Sequence, residues 1–166
     1  MRLTTKGRYA VTAMLDLAFH SQIKPVTLTD IAARQTISLS YLEQLFARLR
    51  RANMVKGFRG PGGGYTLADA AQNINIADII AAVDEPIDAT KCGGEANCQN
   101  EKSCLTHDLW MGLSDQIRDY LKGITLAQLL EKHHVKEIAK RQEQDAQQVI
   151  EIHRHTELIS NLNDLL

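Results

Sequence analysis

The stretch Thr29-Asp30-Ile31-Ala32-Ala33-Arg34-Gln35-Thr36-Ile37-Ser38-Leu39-Ser40-Tyr41-Leu42-Glu43-Gln44-Leu45-Phe46-Ala47-Arg48-Leu49-Arg50-Arg51-Ala52 decides the fold. Its second half places Leu42, Leu45, Phe46 and Leu49 at i, i+3, i+4 and i+7, the stripe of an amphipathic helix from about Leu39 to Ala52. The opposite face carries Tyr41, Gln44, Arg48 and Arg51. A shorter helix starting near Thr29 turns Ile31 and Ala32 inward, and Thr36-Ile37-Ser38 is a tight connection between the two. Two helices joined by three residues, packed through Ile31, Leu42 and Leu45, make a helix-turn-helix whose second helix has a free N-terminal end.

Upstream, residues 4–20 read as a helix capped by Thr4 or Thr5, with Val11, Met14, Leu15 and Ala18 on one face. Downstream, Met54–Phe58 and Tyr65–Leu67 have strand-like side chains around Arg59-Gly60-Pro61-Gly62-Gly63-Gly64, which reads as a hairpin. Residues 76–83 form another short helix, broken by Pro86. A polar loop over 87–104 follows, then a helix from Leu105 to Gly123 with Leu109, Leu113, Ile117 and Tyr120 or Leu121 as its stripe. Gly123 is a C-cap candidate, and Thr125 can cap a last short helix over 126–131. The expected fold is mostly α with a small β-hairpin wing: a winged helix-turn-helix followed by one long helix. Residues 132–166 are polar, with Val149, Ile152, Ile159, Leu162 and Leu166 as a narrow stripe; a mobile tail and a loosely attached helix both fit.

Charge divides the chain. Residues 1–66 carry ten Lys/Arg and three acids, net +7, while the remaining hundred residues sum to −8. A basic first part suits a polyanion; an uneven solvated surface would look the same. No apolar run is long enough to span a bilayer, and no apolar segment follows the first residues, so a cytoplasmic address without a membrane partner is expected.

The free end of the second helix in the motif offers Ser38, Ser40, Tyr41, Glu43 and Gln44 to a major groove of double-stranded DNA. Glu43 can accept from cytosine N4. Ser40-x-x-Glu43 is also the pattern of a capping box, so cap and base reader both stand. At the hairpin tip, Gly60, Gly62 and Gly63 let the backbone approach a phosphate or a narrow groove, and Arg59 stands at its base. Four glycines exceed what a tight turn needs; a plain turn with a solvated arginine is the alternative. No G-K-[ST] follows, which argues against a nucleotide-binding loop.

The second signal is chemical. Cys92, Cys98 and Cys104 are the only cysteines, and His107 follows the last by three residues. Three thiolates and an imidazole can hold a soft metal centre. Spacings of five residues leave a wide loop that fits a [2Fe–2S] cluster or, equally on spacing alone, zinc. Burial as small apolar side chains fits poorly beside Lys91, Glu95, Asn97, Gln99 and Lys102. An odd number of thiols does not make a disulfide framework, and no C-x-x-C pair points to a redox enzyme. The tail histidines His133, His134, His153 and His155 read as solvated.

Residues 1–10, Ser38–Leu45, Arg59–Tyr65 and the run from Cys92 through His107 to Trp110 together resemble the IscR-like iron–sulfur cluster regulators, over about residues 1–131. The resemblance implies a homodimeric bacterial regulator that represses the operon building iron–sulfur clusters. It implies a [2Fe–2S] cluster on Cys92, Cys98, Cys104 and His107, supplied by the assembly machinery, and a cluster-free form that reads other sites. Ser40, Glu43 and Arg59 would read bases, and the 105–123 helix would be the dimer contact. The organisation expected is a DNA-binding domain over 1–84, a cluster loop over 85–104, dimerisation and short helices over 105–131, and the tail over 132–166. A zinc-stabilised winged-helix repressor that senses nothing is the alternative.

Overall fold

The computed structural model of the chain describes residues 5–83 and 87–163, with side chains except at residue 150 and residues 153–163. The sequence-based expectations for Thr4, Pro86, Leu166 and the side chains of His153, His155, Ile159 and Leu162 lie outside the described residues.

Helix α1 runs Thr5–His20, α2 Leu28–Gln35 and α3 Leu39–Arg51. Thr27 caps α2 by accepting from the Asp30 amide at 3.1 Å, and Thr36, at φ 55°, ends it in the left-handed region. The stripe of α3 is buried as its spacing requires: Leu42, Phe46 and Leu49 are fully inaccessible and Leu45 nearly so. They meet Ile31 of α2 and Ala10, Ala13, Met14 and Leu17 of α1 in one core. Each fully buried Leu, Ile or Met contributes about 1.5–3 kcal/mol relative to exposure.

Strands β1 Val55–Phe58 and β2 Gly64–Leu67 pair antiparallel, Val55 opposite Leu67 and Phe58 opposite Gly64. Val26, just before α2, exchanges both backbone hydrogen bonds with Tyr65 at 2.9 and 2.7 Å and so fastens the wing to the motif. The Tyr65 ring also meets Phe46 edge-on, with centroids 4.9 Å apart. A 3-10 turn at Ala71–Asn73 leads to α4, Ile76–Ala82, which Asn75 caps.

Helix α5 spans His107–Lys122 and α6 Leu126–Glu131, where Thr125 and Gln128 close a reciprocal capping box. The expected start of α5 at Leu105 is corrected: Leu105 lies outside the helix and is fully exposed. Gly123 does cap α5, but with φ −74°, so no left-handed residue ends it. After α5 the chain returns to where α4 began: the Ile76 amide donates to the Ile124 carbonyl at 2.9 Å and the Leu126 amide to Ile74 at 3.0 Å.

Helix α7, His133–Asn163, is one continuous helix. Its first half lies against α1 and α2, where Gln142 exchanges amide hydrogen bonds with Gln35 at 3.0 and 3.3 Å. The Gln35 amide also donates to Asp16 at 2.7 Å, and Asp16 takes both arms of the Arg34 guanidinium. This node, with Asp16 buried at its centre and the other three half-buried, joins α1, α2 and α7. Val11 and Leu15 are half-buried, packed against the core and lining the groove between α1 and α7.

Candidate metal centre and DNA interface

The ligand loop is shaped by backbone geometry that ordinary residues resist. Gly93 and Gly94 adopt φ 66° and 86°, so the chain turns back immediately after Cys92. The turn brings the Cys92 and Cys98 sulfurs to 3.5 and 3.8 Å from the same atom, His107 Nδ1. Cys92, Cys98 and His107 offer ligand atoms that all lie within 4.8 Å of one another. The Cys104 amide donates to the Cys98 sulfur at 3.1 Å. Cys104 stands outside the tight trio but lines the same cavity, of about 270 Å³, with Thr90, Thr106 and Trp110. His107 is the first residue of α5 and is buried, so its imidazole is carried on a fixed backbone.

The thiols have unequal acidity. Desolvation works against ionising Cys92, but hydrogen bonding, the Gly94 and Ala96 amides and the Cys98 thiol among the donors, brings it down to about 6. Cys104 pushes Cys98 up, and Cys98 in turn draws Cys104 down. A thiolate is the metal-binding form of cysteine, and hydrogen bonds that favour it favour loading.

The four side chains fit a resident metal group. They are soft donors converging on one cavity, with backbone amides aimed at sulfur. A single tetrahedral ion needs every donor at about 2.0–2.3 Å from one point, hence all within about 4 Å of each other. The ligand atoms of the trio lie within 4.8 Å of one another, a little wider than that, and Cys104 lines the same cavity.

On the DNA-reading side, Ser38, Ser40, Glu43 and Gln44 are all exposed at the N-terminal end of α3. Tyr41 is not on the free face: it is half-buried, its ring edge-on to Tyr9 with centroids 5.8 Å apart. The capping-box reading of Ser40 and Glu43 is corrected. Ser38 occupies the cap position without a side-chain hydrogen bond, and Ser40 is already inside the helix. Glu43 therefore closes no capping box.

Arg59 and Gly60 are exposed at the wing tip with Gly62, and Gly63 is half-buried. The glycine count has a structural cause, which corrects the expectation that it exceeds the needs of the turn. A Cβ at Gly63 would lie 2.5 Å from the Phe58 carbonyl oxygen, and one at Gly64 2.5 Å from that of Val26. The residues missed from sequence are Asp88, Thr90 and Ser114, which hydrogen-bond along the ligand loop. Asp88-x-Thr90 is a local Asx-turn signal; nothing local marks Ser114.

Residues 3–132 match the model of the family described as Rrf2, iron-dependent transcriptional regulator. The chain belongs to the Rrf2 family. As an Rrf2 member it is a DNA-binding transcription regulator rather than an enzyme. The HTH-type transcriptional regulator IscR of Photobacterium profundum is 60% identical over 144 residues, covering 87% of this chain and 84% of that protein. IscR of Vibrio cholerae is 58% identical over 143 residues, covering 86% and 83%. Among solved structures, T. potens IscR superposes with a TM-score of 0.65 at 39% identity, covering 79% of this chain and 87% of that one. CymR, described as the global cysteine regulator of B. subtilis, gives 0.67 at 33% identity, covering 78% and 95%. These neighbours share the winged-helix Rrf2 architecture, and no helix among the described residues is long and apolar enough to cross a membrane.

Proposed function

We propose that the chain is a cytoplasmic, homodimeric regulator that senses iron–sulfur supply through a [2Fe–2S] cluster on Cys92, Cys98, Cys104 and His107. The observation that carries this is the convergence of two thiols on His107 Nδ1, with Cys104 on the same cavity wall. High identity to regulators named IscR supports it. When bound, the cluster supplies a rigid bracket between loop and helix, present only when the assembly machinery can donate it.

The protein's own part is to hold the loop against the first turn of α5 and to present α3 and the wing to DNA. Ser40, Glu43 and Gln44 face the major groove, and Arg59 with the glycine tip the minor groove. The loaded form represses the operon that builds iron–sulfur clusters; the cluster-free form reads a second class of site. An exposed carboxylate at the reading end of α3 supports base selection, since it adds repulsion to any polyanion and offsets that only at a base that donates to it.

Anaerobic purification followed by metal and sulfide analysis tests the centre. Iron and sulfide in equal amounts are expected; a colourless zinc protein would replace this reading with the zinc-stabilised repressor. Footprinting with loaded and stripped protein then tests the switch, and identical site preferences would refute it.

A further inference from the structure

We infer that Ser114, Asp88 and Thr90 are positioning residues for the metal centre, forming a hydrogen-bonded strut that fastens the Cys92 end of the ligand loop to the middle of α5. The inference rests on the proposed ligand set and concerns residues that are not themselves ligands.

The strut begins inside the helix. Ser114 is 1% exposed, and a buried hydroxyl is costly unless bonded. It donates to the Trp110 carbonyl at 2.8 Å, accepts from the Ala89 amide at 2.8 Å, and lies 3.4 Å from an Asp88 carboxylate oxygen. Asp88 accepts from the Thr90 amide at 2.7 Å with one oxygen and from the Thr90 hydroxyl at 2.9 Å with the other. The Thr90 hydroxyl oxygen accepts from the Gly94 amide at 2.8 Å, in the turn that reverses the chain after Cys92. The Gly94 amide also bears on the Cys92 sulfur, so the Thr90 hydroxyl, whose own proton goes to Asp88, acts on Cys92 through Gly94. On the other side of the turn, Gly94 faces Met111: a Cβ there would sit 3.5 Å from its sulfur.

An isolated Asx turn accounts for Asp88 with Thr90 and nothing more. It does not account for a serine buried at a helix position where alanine is intrinsically better, nor for the Thr90 hydroxyl receiving Gly94. Both are explained if α5 must hold the loop in register with its own His107, two turns earlier on the same helix. Partners behind the ligands typically change metal affinity by about 10–100-fold when removed. Hydrogen bonds to ligand sulfur also help set the reduction potential of iron–sulfur centres.

The test uses the full chain with Ser114→Ala, Thr90→Val and Thr90→Ser. In cluster-free protein, amide exchange is expected to quicken at Ala89 in Ser114→Ala and at Gly94 in Thr90→Val, with the α3 amides unchanged. In loaded protein, both variants should release iron to a chelator about ten-fold faster than wild type. Thr90→Val should also shift the reduction potential negative, and Thr90→Ser should restore rate and potential. Wild-type release rates in Ser114→Ala and Thr90→Val would overturn the strut, as would unchanged amide exchange in both. If the wild-type chain itself takes up zinc alone, the cluster reading falls separately. The strut is then decided by amide exchange and zinc release.

Discussion

Glu43 carries the sharpest residue-level consequence. It is exposed on α3, and Ser40, the partner it would need for a capping box, lies within the helix. Its carboxylate is thus available to accept from a base and repels DNA where no donor is present. Glu43→Ala is expected to narrow the affinity gap between the two proposed classes of site by about 1–3 kcal/mol, the worth of one base-pair mismatch. Binding titrations of loaded and stripped protein on both classes would show it; an unchanged gap removes Glu43 from site selection. A second substitution addresses the imidazole. Because a metal-bound histidine must be unprotonated, acid should hasten cluster loss from the wild type, and His107→Cys should hold the cluster more firmly and alter the visible spectrum. A spectrum identical to wild type would argue against ligation by His107. At this scale the sequence pointed to the cysteines and histidine that the structure gathers on one cavity, since cysteines are rare in it, and was misleading for the cap. Ser-x-x-Glu occurs wherever a helix start is near, and only the backbone decides which residue is the cap.

At the scale of elements, periodic burial made α1 to α6 readable. The stripe of α3 and the Thr125 cap of α6 fall where spacing puts them. Helix α7 was ambiguous because part of its attachment is polar: Gln142 reaches Gln35, and no apolar periodicity announces an amide pair. The same junction contains a half-buried histidine. Desolvation, then the Arg34 guanidinium, hold His20 below its ordinary value, against the opposing pull of Asp16, Glu143 and Asp30. The unfolded chain therefore binds that proton more readily, so His20 makes stability fall as pH drops from about 6.5 towards its folded value. Thermal denaturation across pH 7 to 5 should show the loss, and His20→Gln should flatten it. If the slope survives the substitution, His20 is not its source. In the wing, Gly63→Ala forces the tip to move away from the Phe58 carbonyl. It should weaken DNA binding while leaving the melting temperature within a few degrees of wild type, because the tip lies outside the core. A fall in stability as large as the loss of affinity would mean that the wing holds up the fold instead.

For the whole molecule, α5 presents an unusual surface. Leu109 is 64% exposed and Tyr120 69%, with Trp110 and Leu113 also open, while Ile117 and Leu121 turn to the core. Neighbouring apolar side chains at helical spacing facing solvent mark an interaction surface, and the proposed occupant is the same helix of a second copy. Leu109→Glu with Leu113→Glu should give a monomer by analytical ultracentrifugation and abolish tight binding to paired half-sites, with the circular dichroism of the helices retained. A dimer that survives both changes would place the contact elsewhere. The apolar stripe was visible in the sequence, but its exposure was not: periodicity identifies a face without naming what covers it.

The return of the chain after α5 has one further consequence. Backbone bonds between Ile76 and Ile124 and between Ile74 and Leu126 stitch the exit of the long helix to the entrance of α4. Everything from the end of α4 to Ile124 is thus an excursion whose two feet stand one short helix apart, roughly 10 Å. Such a segment is a staple: pinned at both feet and pressed by Ile87, Ile117 and Leu121 onto the core that α1 and α3 share, it passes any shift in the loop to the reading head through packing.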